Sequence, residues 1–152
     1  MKKILTLLFL LPVYACAANV ALYESYQNFE EHIKDRSNKI DGLVGYFAKE
    51  VVDQALSDIK KGDAEDKVVS NLSFPHIMKN EISHFEKTAA DGDVGCLTVN
   101  GYESSNSPVS FSLLYTKEQG RWLIKDMFIA MPEKVEDLPN YAQCPDEAEA
   151  SF

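Results

Sequence analysis

The chain has 152 residues, with 15 basic and 24 acidic side chains and a formal net charge of −9. That length suits one domain with a single core. The charge disfavours nucleic acid and anionic membrane surfaces as partners, and favours solubility and a basic protein partner.

Lys2 and Lys3, the apolar run Ile4 to Leu11, Pro12 and the small residues Ala15-Cys16-Ala17-Ala18 follow the order of a secretion signal. The run is shorter than the ~20 residues needed to span a bilayer. Residues 1–17 are therefore expected to be a bacterial leader, cut between Ala17 and Ala18. It would deliver to the periplasm a mature protein without a transmembrane segment. Val13-Tyr14-Ala15-Cys16 also has the look of a lipobox, in which Cys16 would become the lipid anchor of a membrane-attached lipoprotein. Tyr14 and Pro12 fit that pattern poorly, so plain cleavage is the preferred reading. Cleavage would leave 135 of the 152 residues and, with Lys2 and Lys3 gone, 13 basic against 24 acidic side chains, a net charge of −11. Two cysteines would remain, Cys96 and Cys144. An even count in an oxidising compartment points to one bridge between them.

Leu22, Tyr26, Phe29 and Ile33 recur at helical spacing and predict a half-buried first helix. After the polar break from Ser37 to Gly42, the pattern resumes at Leu43 and runs through Phe47, Val51, Ala55 and Ile59. It stops at Lys60-Lys61-Gly62, basic residues at a helix end followed by glycine. Asp63 is a suitable cap for a short third helix through Val68 and Val69, with Glu65 and Asp66 in its first turn. Ser73-Phe74-Pro75 restarts the chain, and Ile77, Met78, Ile82 and Phe85 predict a fourth helix ending near Ala90.

Beyond the turn signal Asp91-Gly92-Asp93 the period changes to two. Val94 to Glu103, Val109 to Lys117 and Arg121 to Met131 read as strands, antiparallel because their connections are short. Strict alternation in the last strand places Trp122, Ile124, Asp126, Phe128 and Ala130 on one face, and Leu123, Met127, Ile129 and Met131 on the other. Both faces then look apolar, and helices can cover only one. Residues 132–152, with three prolines and an acidic end, read as a tail without regular structure. The tail is expected to bring Val135, Leu138 and Tyr141 across the second face and to be pinned there by Cys96 and Cys144.

Two stretches resemble NTF2-like domains. Ala55-Leu56-Ser57-Asp58-Ile59-Lys60-Lys61-Gly62-Asp63-Ala64-Glu65 is similar to their helix, glycine-aspartate, helix junction, and Gly120-Arg121-Trp122-Leu123-Ile124-Lys125-Asp126 to their late tryptophan strand. The likeness runs over about residues 43–131. It implies an α+β fold over residues 18–131, with N-terminal helices packed on a curved antiparallel sheet of three or four strands as a cone around a cavity. The first helix and the disulfide-stapled tail are additions to that plan. The resemblance implies no particular reaction, because the fold hosts many activities. No catalytic motif of its enzymes matches here residue by residue.

His76 and His84 would stand ~12 Å apart on a helix rising 1.5 Å per residue, too far to share a metal, and Glu81 offers His84 a local charge pair. Asp91 and Asp93 lack the spaced oxygen ligands of a calcium loop and read as a turn. Glycine-rich phosphate loops, hydrolase elbows and zinc-type cysteine pairs are absent. Neither metal nor cofactor is expected. The candidate cavity residues are Asp126, Tyr115 and Trp122: an acid on an apolar face has its charged form disfavoured, and an acid beside a phenol can move a proton. The plainer reading gives Asp126 and Tyr115 structural roles. The acidic clusters Asp63-Glu65-Asp66, Glu133-Glu136-Asp137 and Asp146-Glu147-Glu149 could steer a basic partner.

Two functions follow. One is a non-enzymatic periplasmic binding protein, such as an inhibitor or immunity protein that neutralises an envelope-acting enzyme or toxin. The alternative is a small-molecule-binding protein or enzyme that uses the cavity. A filled cavity beside a broad acidic or aromatic surface favours the first, and an open pocket holding a desolvated Asp126 favours the second.

Overall fold

A computed structural model describes residues 21–34 and 39–152. The expected leader, with Cys16, Ala17 and Ala18, lies outside the described residues. The architecture is α+β: three N-terminal helices, then a four-stranded antiparallel sheet, then a tail crosslinked back to the sheet.

Helix α1 (Leu22–Lys34) buries Leu22, Tyr26 and Phe29, the stripe that its spacing predicts. Helix α2 is Lys49–Lys61, shorter than expected. Leu43 and Phe47 are buried as foreseen, but they precede the helix. Leu43 follows a 3-10 turn at Ile40–Gly42, and Phe47 forms a parallel bridge to the sheet at Ile124. Gly62 ends α2 in the left-handed region at φ 114°, and its N–H bonds back to Asp58 and Ile59. Helix α3 (Glu65–Leu72) is capped by Ala64 rather than Asp63, with Glu65 and Asp66 in its first turn.

The fourth expected helix is a strand. Phe74–Ile77, with Pro75, makes only a 3-10 turn, and β1 follows at Met78–Thr88. It is the edge of the sheet, and its register slips between Met78 and Asn80 and again between Glu81 and Ser83. Bulges and charges such as Lys79 and Glu81 are how an edge strand avoids pairing with another chain.

Strands β2 (Val94–Glu103), β3 (Pro108–Glu118) and β4 (Arg121–Ala130) match the expected spans closely, and the sheet order is β1-β2-β3-β4. The β3 to β4 turn places Gln119 at φ 51° and Gly120 at φ 78°, the mirror-image turn that suits strand twist. The free edge of β4 is partly covered, since Ala48 N–H donates to Ile124 O at 2.8 Å and Ile124 N–H to Tyr46 O at 2.9 Å.

A close backbone approach fixes one residue of β2. A Cβ on Gly101 would stand 2.3 Å from the Asn80 carbonyl oxygen and 2.6 Å from Met78 Sδ. Gly101→Ala should therefore destabilise the protein by roughly 1–3 kcal/mol through overpacking. The urea midpoint measures this, and a variant as stable as the parent would show that β1 yields freely.

The two faces of the sheet differ in character. Leu97 and Val99 of β2, with Val109, Phe111, Leu113 and Tyr115 of β3, face the helices and join one core with Tyr26, Phe29, Phe47, Phe74 and Ile124. The alternate residues Thr98, Asn100, Ser110 and Ser112 are buried on the opposite face. That second face is polar along β2 and β3, while β4 adds Leu123, Phe128 and Ala130 to it.

The tail covers it. Cys96 and Cys144 form the expected bridge, with an S–S distance of 2.07 Å. The tail is not without regular structure: it holds a 3-10 turn at Val135–Asp137 and a short helix α4 (Pro145–Glu149). Val135 and Tyr141 are exposed, so of the three side chains expected to cover the sheet only Leu138 is half-buried. Polar groups make part of the contact. Asn100 Nδ2 donates to Pro139 O at 2.7 Å, and Gln143 N–H donates to Thr98 Oγ1 at 2.8 Å. Ala142, Gln143, Pro145 and Ala148 are the buried side chains. Lys87 donates to Glu147 Oε2 at 2.6 Å, and the Cys144 N–H donates to the same carboxylate at 2.8 Å. These two donors hold the Glu147 carboxyl below its ordinary range.

Candidate functional site

The space between helices and sheet is filled. Tyr26, Phe29, Phe47, Phe74, Phe111 and Tyr115 are all fully buried there. Their rings interlock: Phe29 lies 5.4 Å from Phe47 and Phe74 lies 5.1 Å from Phe111, both edge to face. Tyr115 stands among them, and its hydroxyl has no hydrogen-bond partner. Burial pushes its phenol far above the ordinary range, so it stays neutral.

Asp126 is elsewhere. In the pairing of β3 with β4, Tyr115 opposes Ile124 and Leu114 opposes Asp126, which leaves Lys125 as an extra residue. This bulge reverses the alternation beyond it. Met127 and Ile129 thereby join the helix-facing core with Trp122 and Ile124, while Asp126 and Phe128 turn to the tail side. Asp126 is exposed, and its Oδ1 accepts the Met127 N–H at 2.8 Å. Asp126 and Tyr115 therefore do not meet inside the fold.

The unpartnered Tyr115 hydroxyl makes a direct prediction. Tyr115→Phe removes a buried polar atom that nothing satisfies, so it should leave stability unchanged or raise it by about 1 kcal/mol. Denaturant unfolding tests this, and a clear loss would mean that the hydroxyl has an undetected partner.

Trp122 is half-buried against the core and lines an open groove of about 560 Å³. Tyr46, His32, Asn28 and Arg121 stand along the same groove. The His32 Nε2–H donates to the Gly42 carbonyl at 2.9 Å, and its ring lies 5.0 Å from Tyr46. The Lys117 ammonium lies 5.2 Å from the centre of the Trp122 ring.

A second constellation, not foreseen, joins α1 to β1. The Tyr23 ring stacks on His84 at 3.5 Å, its hydroxyl donates to Glu81 at 2.9 Å, and its backbone N–H donates to Glu86 at 3.0 Å. His84 Nδ1 also lies 2.9 Å from Glu81, the expected pair, made across a bulged strand rather than along a helix. Burial, then the Glu81 carboxylate, push the Tyr23 phenol up to about 12. The cluster seals the start of α1 to the sheet. Glu86 satisfies one of the N–H groups left open at a helix N-terminus, and being distant in sequence it left no local signal.

The acidic clusters take different places. Asp63 rims a groove of about 450 Å³ between α2 and α3, floored by Val51, Ala55, Val68 and Leu72. Glu65 accepts the Ile40 N–H at 3.3 Å. Glu133 and Asp137 line a pocket of about 540 Å³ built by the tail, beside Tyr141, Gln143 and Phe152. Among the described residues no three His, Cys, Asp or Glu side chains converge on a metal position. None of the helices there is long and apolar enough to cross a membrane. No family model, curated protein or solved structure matches the chain, so its activity has to be argued from these surfaces alone.

Proposed function

We propose that the protein is a non-enzymatic binding protein of the periplasm, which inhibits or neutralises an envelope-acting enzyme or toxin by holding a basic protein partner. The observation that carries this reading is the filled interior. Where a cavity would lie, six aromatic side chains pack together, and Asp126, the only acid offered for chemistry there, sits outside on the opposite face. With that space packed by aromatic rings among the described residues, the surface is the better candidate for the work. The net charge of −9 suits a basic partner, whose approach it would accelerate.

The Cys96 to Cys144 crosslink supports an oxidising compartment. Export is part of the proposal, with residues 1–17 as the leader cut after Ala17, or with a lipid on Cys16 as the alternative. Kinship with NTF2-like domains is part of the proposal. It is supported by helices followed by an antiparallel sheet, by the Gly62-Asp63 junction after α2, and by Trp122 in the last strand. The absence of an open central cavity among the described residues departs from that family's plan.

The test is affinity capture from a periplasmic extract on the immobilised mature protein. The expected result is one basic protein, held at low salt and released at high salt, whose action on the envelope stops when the domain is added in stoichiometric amount. Recovery of no partner, together with turnover of a small molecule that is lost in Asp126→Asn, would overturn it.

The groove beside Trp122 favours a second reading, binding of a small molecule outside the core. Trp122 is the chain's one tryptophan. A ligand there should change its fluorescence, and Arg121→Ala should weaken the response.

A further inference from the structure

The pocket built by the tail carries a charge, a shape and an unmet hydrogen bond that point to the same occupant. Its walls include the carboxylates of Glu133 and Asp137, the rings of Tyr141 and Phe152, and the amide of Gln143. Gln143 is 4% exposed and held firmly by its backbone, whose N–H donates to Thr98 Oγ1 at 2.8 Å and whose carbonyl accepts from the same hydroxyl at 3.4 Å. Its side-chain Nε2 donates to the Tyr141 hydroxyl at 3.0 Å, while Oε1 is shut off from solvent without a partner.

An unpaired buried acceptor is costly, and such groups are rare in folded proteins. Turning the amide over would pair Oε1 with the tyrosine hydroxyl and strand the amide N–H₂ instead, so one polar atom of Gln143 goes unpaired either way. The two carboxylates decide which kind of group completes the site: a cation that brings N–H donors. The two rings decide its shape. Tyr141 is 58% exposed and Phe152 53% exposed, an unusual display of aromatic surface. A flat, weakly hydrated guanidinium stacks on such rings and forks onto a carboxylate, which an ammonium does less well.

We propose that this pocket seats an arginine side chain of the partner protein, with Glu133 and Asp137 taking its charge, Tyr141 and Phe152 its flat face, and the Gln143 amide oxygen one of its N–H donors. The proposal rests on the reading of the protein as a binder of a basic protein, and it names where and how that partner is gripped. Because Oε1 is shut off from solvent, seating the guanidinium on it requires the pocket wall around Gln143 to shift.

The experiment titrates the mature protein with N-acetyl-arginine amide, followed by proton–nitrogen NMR, with the lysine analogue and the uncharged citrulline analogue as comparisons. The arginine analogue should move the Gln143 side-chain N–H₂ and the amides of Asp137, Tyr141 and Phe152 together along one saturating curve. The lysine analogue should bind at least threefold more weakly, and citrulline at least tenfold. Combining Glu133→Gln with Asp137→Asn should weaken arginine binding at least tenfold and leave the urea midpoint unchanged, because both side chains are exposed. Equal binding of citrulline would mean a neutral polar ligand and would overturn the proposal. So would shifts scattered over every acidic patch, or no saturable shift.

The outcome is separable from the wider reading. If a captured partner binds the double variant as tightly as the parent, the pocket falls and the binding function stands. If the arginine analogue binds but no partner is captured, the pocket stands and the function falls.

Discussion

Replacing Cys96 and Cys144 together with serine is expected to cost the fold about 4 kcal/mol, since the bridge closes a segment of 48 residues and removes that much freedom from the unfolded chain. With stabilities of small domains at roughly 5–15 kcal/mol, this is a large share. At a urea dependence of about 2 kcal/mol per molar, the midpoint should fall by roughly 2 M.

The loss should begin at the tail. Without the bridge it is held by a few hydrogen bonds to Thr98 and Asn100, the Lys87 to Glu147 pair, and the burial of small side chains such as Ala142 and Ala148. Each such hydrogen bond contributes only about 1 kcal/mol net. Hydrogen exchange on the variant should therefore show Gln143 and Ala148 amides opening far more readily than those of Leu97 and Val99. A variant with an unchanged midpoint and a protected tail would mean that the polar face holds the tail unaided.

Phe29→Ala should cost about 3–5 kcal/mol, the range for deleting a fully buried aromatic side chain. Phe29 is the meeting point of three structural pieces. From α1 its ring lies 5.1 Å from Tyr46 and 5.4 Å from Phe47 in the segment before α2, and 5.9 Å from Phe74 before β1. No neighbour can close the gap without leaving its own contacts, so the site should relax little. Phe152→Ala, at an exposed position, is the control and should change stability by less than about 0.5 kcal/mol. A cost below about 1 kcal/mol at Phe29 would show the aromatic cluster to be loosely packed, and would reopen the case for an internal cavity.

The residues that made the fold legible are those whose environment is uniform along an element. The α1 stripe buries one face of a helix, and β2 and β3 alternate apolar residues toward the helices with polar ones toward the tail, so the period survives in the sequence. The bridge was legible because the expected cleavage leaves only Cys96 and Cys144 to pair. β1 was misread because it is an edge strand. Ile82, which supported a helix, sits in a bulge and is 49% exposed, and the half-buried Ser83 and Phe85 leave only a faint period of two.

The misplacement of Asp126 has one cause, the bulge at Lys125. A single extra residue reverses every assignment beyond it, and no turn residue announces it. The polar face of the sheet, in contrast, was readable. Thr98, Asn100, Ser110 and Ser112 alternate with Leu97, Val99, Val109, Phe111 and Leu113 in the sequence itself. Reading β4 without β2 and β3 hid it. The tail pocket had no linear signature, because Gln143 becomes an unpaired buried amide only when Thr98 anchors it.

The polar side of the sheet also bears on the order of assembly. Cys144 follows β4 in the chain, so the strand meander with its threonine, asparagine and serine row precedes the cysteine that closes the bridge. Hydroxyls and amides of that kind hydrate readily, so along β2 and β3 the bridge acts as a strap closing over a surface that is less sticky than the helix-facing side.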